Sequence, residues 1–109
     1  MGNIQAMLTL FDVVAEPNRR RILELLRDGE QLAGTLVAAL DLAQPTVSKH
    51  LRTLHDAGLV TVRRDAQRRW YRLRAEGLRE FDEWLAPYRE LWADRLDDLE
   101  RHLDRMEET

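Results

Sequence analysis

The chain contains no cysteine. Disulfides, thiolate metal sites and thiol redox switches are therefore excluded. It also lacks any apolar run close to the roughly 18 residues that a membrane-spanning helix needs. The first residues, Met-Gly-Asn-Ile-Gln-Ala, carry no basic stretch ahead of an apolar core. No secretory signal is read from them, and the cytoplasm is the default compartment. There is no glycine-rich phosphate loop. Ser48, His50 and His55 lack the arrangement of nucleophile, base within hydrogen-bond reach and orienting third group that a triad needs. No catalytic residue, no enzyme activity and no cofactor are expected. No internal repeat or low-complexity segment is visible.

What is present fits a soluble, helix-rich chain of one domain: 109 residues, 44% hydrophobic and 34% charged. A core of that size is modest, so help from a partner subunit is in keeping with it. The net charge of −3 argues against nucleic acid only superficially. Residues 43–74 hold 8 Lys+Arg against 2 Asp+Glu, whereas residues 75–109 hold 5 against 12. A basic block in the middle and an acidic tail is the asymmetry that matters.

Apolar residues at Ile4, Met7, Leu8, Leu10, Phe11 and Val14 predict a first helix over 3–15. Pro17 is placed to open the next helix, which carries Ile22, Leu23, Leu25 and Leu26 on its buried side and ends at Asp28-Gly29. A short third helix is predicted over 32–40, followed by a tight turn at Asp41-Leu-Ala43. Gln44 can then cap a fourth helix, with Pro45 at the first helical position. Val47, Leu51 and Leu54 form its apolar stripe, and Gly58 stops it. The alternation at 59–64 and 70–73 reads as a β-hairpin with Val60, Val62, Tyr71 and Leu73 in the core. Its turn, Asp65-Ala66-Gln67, lacks glycine, which points to a longer, mobile tip. From Ala75 onward, Leu78, Phe81, Leu85, Tyr88, Trp92, Leu96, Leu99, Leu103 and Met106 make a seam of mean step 3.5. Pro87 falls inside it, so a kinked helix and two helices (76–86 and 87–107) are both compatible with the pattern.

Two short helices joined by a tight turn, then a hairpin, make a winged helix-turn-helix: mainly α with a small β-hairpin (α+β) and a long C-terminal helical segment. In such a fold the second helix of the pair lies in the DNA major groove. Gln44, Thr46, Ser48, Lys49 and Arg52 are of the types that meet base edges and phosphates. Arg63, Arg64, Arg68 and Arg69 flank the hairpin tip and can reach phosphates or the minor groove. His50 suits a phosphate contact or a packing role equally. Trp70 fits wing packing better than base stacking. His55 near the helix end is favourable to the dipole. His102 has only Asp98 one turn before it, which is no ligand set, and no metal site is expected.

The segments Ala15-Glu-Pro-Asn-Arg-Arg-Arg-Ile-Leu-Glu-Leu-Leu26, Gln44-Pro-Thr-Val-Ser-Lys-His-Leu51 and Leu54-His-Asp-Ala-Gly-Leu-Val60, with Arg63-Arg64 to Tyr71-Arg-Leu73, resemble the ArsR/SmtB family of small dimeric bacterial winged-helix repressors. The likeness covers roughly 5–74. It implies a winged helix-turn-helix core at 14–74 and dimerisation helices at 1–13 and 75–109 within a single domain spanning 1–109. It assigns Leu8, Phe11, Leu85, Tyr88, Trp92, Leu96, Leu99 and Leu103 to a homodimer interface. The seam wants a partner independently, since a lone helix would expose it. Binding to an inverted repeat in double-stranded DNA, with repression, is the implied activity. The chain departs from the family's metal sensors, whose thiolate pair would fall near Leu32 and Gly34. That points to a non-metal branch, with a small-molecule effector as an open partner. The alternative is a protein-interaction module on the same scaffold that has lost DNA binding, against which the basic 43–74 block speaks.

Overall fold

The computed structural model describes residues 4–107. Position 3, where the sequence places the start of the first helix, lies outside them. The order is α1 (Ile4–Ala15), α2 (Pro17–Leu25), β1 (Gln31–Leu32), α3 (Ala33–Leu40), α4 (Gln44–Asp56), β2 (Val60–Asp65), β3 (Arg68–Leu73) and α5 (Ala75–Glu107). The sheet is antiparallel in the order β1-β3-β2.

Local chemistry explains most boundaries. Glu16 caps α2 by accepting from the Arg19 backbone N–H at 2.8 Å, and Pro17 follows at a position where no donor is needed. α3 ends at Asp41 in the left-handed region, φ 54°, which turns the chain toward α4 within three residues. α4 ends in a Schellman motif. The Leu59 N–H donates to the Leu54 carbonyl and that of Gly58 to His55, both at 3.0 Å, with Gly58 at φ 79°. Gly58 stops the helix as the sequence indicated.

The core lies where α1, α2, α3 and α4 meet the base of the sheet. Ile22, Val47 and Leu54 have 0% exposure, and Leu26, Leu36, Leu40, Leu51, Leu59 and Val60 have 1–2%. Each fully buried aliphatic side chain contributes about 1.5–3 kcal/mol of transfer free energy. Phe11 sits edge-on to Phe81 (5.2 Å) and Trp84 (5.0 Å), which fixes α1 on the first half of α5.

Four expectations need correction. Leu32 is not helical, because Gln31 and Leu32 pair with Tyr71 and Trp70 as a third strand. Gln44 is the first residue of α4 rather than its cap. Ala43 holds the cap position without a side-chain bond, and its carbonyl accepts from Thr46 and Val47. The wing tip is short, not long. The ladder continues to the Asp65–Arg68 pair, leaving Ala66 and Gln67 to turn, with Ala66 taking φ 55° in the absence of glycine. Val62 is 38% exposed, because it lies on the edge strand β2 and lines an open groove, whereas its cross-strand partner Tyr71 packs against the core. α5 runs unbroken through Pro87. Pro87 and Glu83 are both exposed, so water can take the place of the lost bond.

Candidate nucleic-acid interface

Burial divides α4 lengthwise. Val47, Leu51 and Leu54 anchor it to the core. Gln44, Thr46, Ser48, Lys49 and Arg52 are exposed along the rest of the cylinder. The three apolar side chains, at i, i+4 and i+7, cover one stripe, and the polar ones are left for solvent or a ligand.

The hairpin register divides the wing arginines. Cross-strand partners share a face, and faces alternate residue by residue. Val60–Leu73, Val62–Tyr71 and Arg64–Arg69 therefore lie on the side toward α4. Thr61–Arg72, Arg63–Trp70 and Asp65–Arg68 lie on the other. A groove of about 420 Å³ between α4 and the wing is lined by Ser48, Arg52, His55, Arg64, Arg69 and Tyr71, over Leu51 and Val62. An adjoining cleft of about 790 Å³ reaches the start of α3, and Gln44, Ser48, Gln67, Arg68 and Arg69 line it together with Thr35. The lining of both grooves includes no carboxylate. The surface is thus concave, cationic and rich in hydrogen-bonding side chains, which suits a polyanion.

Two predicted site residues stand apart. Arg63 points to the outer face. There it donates to Glu30 at 2.8 Å, with its guanidinium 5.5 Å from the Trp70 ring centroid. The hydrogen bond from Arg63 holds the Glu30 carboxyl below its usual range, and Glu30 in turn raises Arg63. Trp70 is half-buried behind this pair. His50 is turned inward, its side chain 15% exposed and its Nδ1 accepting from Arg19 Nε at 3.3 Å. Arg68, at the tip, shares the α4-side cleft although its Cα pair belongs to the outer row.

Thr35, His55, Gln67 and Tyr71 also line the grooves, beyond the site residues expected from the sequence. The period of two was the available signal for the arginines: with Val60 and Val62 on the inner face, Arg64 follows them and Arg63 does not. Thr35 and Gln67 carried no such signal, since only the β1 pairing brings α3 to the wing.

On α5 the seam is exposed from Tyr88 onward: Tyr88 56%, Trp92 63%, Leu96 49%, Leu99 53% and Leu103 51%. Leu8 on α1 is 56% exposed, whereas Phe11 and Leu85 are half-buried, Phe11 within its own chain's aromatic cluster. Among the described residues, no three His, Asp or Glu side chains converge as a metal-binding group.

Residues 16–62 match the family model described as bacterial regulatory protein, arsR family. The chain is 38% identical over 65 residues to an arsenical resistance operon repressor of Staphylococcus aureus; the match spans 60% of this chain and 62% of that protein. It is 30% identical over 79 residues to the transcriptional repressor SdpR of Bacillus subtilis, spanning 72% of this chain and 88% of that one. Among solved structures, it superposes with TM-score 0.65 and 27% identity on the homodimeric winged helix-turn-helix DNA-binding domain of a possible ArsR-family transcriptional regulator from Mycobacterium bovis. That match covers 80% of this chain and 82% of the other. With SdpR matched over most of its length and the fold shared over four fifths of the chain, the chain belongs to the arsR family of bacterial regulatory proteins, as a winged helix-turn-helix transcriptional regulator.

Proposed function

We propose that the chain works in the cytoplasm as a homodimeric repressor that reads an inverted repeat in double-stranded DNA. α4 enters the major groove, and Gln44, Thr46, Ser48, Lys49 and Arg52 meet base edges and the flanking backbone. Arg64, Arg68 and Arg69 hold phosphates beside it. His50 and Arg63 belong to the scaffold of the site. The 14–74 segment is the reading unit, and 1–13 with 75–109 supply the dimer contacts through Leu8, Leu85, Tyr88, Trp92, Leu96, Leu99 and Leu103. A twofold dimer then presents two α4 helices about one DNA turn apart.

One observation carries this reading. The exposed polar face of α4 and the inner arginines Arg64 and Arg69 converge on the same carboxylate-free groove. Titrating random duplex with the purified protein at about 50 and 200 mM salt tests it. Affinity should fall steeply, with a log–log slope near −0.9 per phosphate contact. Absence of binding at the lower salt would instead favour an interaction module that has lost DNA.

A further inference from the structure

Helix α4 is tied at two points to the two helices that carry the proposed dimer surface. The first tie is on its inner side. His50 Nδ1 accepts from Arg19 Nε at 3.3 Å, and the same guanidinium donates through Nη1 to the Val13 carbonyl of α1, also at 3.3 Å. Glu16 Oε2 lies 3.9 Å from His50 Nδ1 and holds the Arg19 backbone N–H at 2.8 Å. Accepting at Nδ1 leaves the ring proton on Nε2. The second tie is at the C-terminal end of α4. Gly58 follows α4, and its carbonyl accepts from Arg74 Nη1 at 3.3 Å. Gly77, buried in the first turn of α5, lies against that same carbonyl so closely that a Cβ at position 77 would overlap it.

Neither tie is part of the groove surface. Their value lies in leverage. A helix of 13 residues is about 20 Å long, so a tilt of about 3° around one end moves the other by about 1 Å. Base-edge hydrogen bonds are lost over such a distance. Flexible arginines on phosphates follow it.

We propose that His50 and Gly77 are positioning residues which lock α4 to α1 and α5. The dimer geometry thereby dictates the aim and spacing of the two reading helices, and so sequence choice rather than general affinity for duplex. This rests on the dimeric DNA-binding reading above.

The test uses the full chain and two probes: the duplex that wild-type protein enriches from a random library, and a scrambled duplex of equal composition. In His50→Asn the amide Oδ1 stands where Nδ1 stood. The ratio of the two affinities should stay within about threefold of wild type. His50→Gln places its oxygen nearer the Nε2 position, and His50→Ala has no acceptor. Both should lose at least tenfold in that ratio, with scrambled-duplex affinity, salt slope and dimer mass unchanged. Gly77→Ala should show the same split. If it melts early, the histidine series carries the test alone. A wild-type ratio in His50→Gln, His50→Ala and Gly77→Ala, all folded and dimeric, overturns the inference, as does an equal loss in His50→Asn and His50→Ala. Wild-type protein that sediments as a monomer or enriches no duplex overturns the underlying reading, and the inference with it.

Discussion

Single side chains on α4 do opposite work a few ångströms apart. Leu54 has no exposed surface. Leu54→Ala should cost about 2–5 kcal/mol, from lost transfer energy and the cavity left behind, measurable by urea denaturation. Two neighbouring arginines of the wing should differ just as clearly. Arg64 faces the groove and Arg63 faces Glu30. The double change Arg64→Ala and Arg69→Ala should weaken binding to all duplexes and reduce the salt slope by up to about 2, whereas Arg63→Ala should change the slope little. Equal slopes for the two variants would remove the inner face from the phosphate contacts. The outer pair has its own pH signature. Glu30 titrates below its usual range in the fold, so its small contribution is present above the ordinary carboxylate pKa. It is lost as pH falls through the lowered value. Glu30→Gln should lower the melting temperature slightly at neutral pH, where that contribution is present, and match wild type in acid, where it is already lost, so that the acid limb of the profile flattens.

At the scale of elements, α3 carries an avoidable weakness. Gly34 sits inside this eight-residue helix with open space around the place of a Cβ. Gly34→Ala should stabilise by roughly 0.5–1 kcal/mol, seen as a rise of a few degrees in melting temperature. Helices were the legible part of this fold, because their signals are local: Pro17 and Pro45 at the openings, Gly58 at the stop, and the Val47, Leu51, Leu54 stripe between. The elements that were hidden depend on partners distant in the chain. β1 has only two residues, Gln31 and Leu32, and exists because Tyr71 and Trp70 offer a free edge. The tight wing turn hid behind the missing glycine, since Ala66 accepts a left-handed backbone when the ladder on both sides demands it. The site was half legible for the same reason. The outward residues of α4 follow from helical periodicity, but the split of the arginines needed the hairpin register, and the inward turn of His50 needed Arg19, 31 residues earlier.

At the scale of the whole molecule, the shape is lopsided. The chain extends 66 Å along its longest axis, because α5, with 33 residues, outruns the body it starts from. A helix that exposes Trp92, Leu96, Leu99 and Leu103 in one row leaves apolar surface in water that a second copy would remove. Leu99→Glu would place a charge in that row and should convert the proposed dimer to monomer in sedimentation. An unchanged dimer would place the interface elsewhere. Charge follows the same division of labour, with the excess of basic residues at 43–74 and the excess of acidic ones at 75–109. The most direct test of the central claim, that the outer face of α4 reads bases within a twofold dimer, is selection of duplexes from a random library by wild-type protein and by Ser48→Ala. Wild type should enrich two inverted half-sites about 10–11 base pairs apart, centre to centre, and Ser48→Ala should relax the preference within each half-site while keeping their spacing. Enrichment of no common sequence, or of the same sequence at the same strength by both proteins, would contradict it.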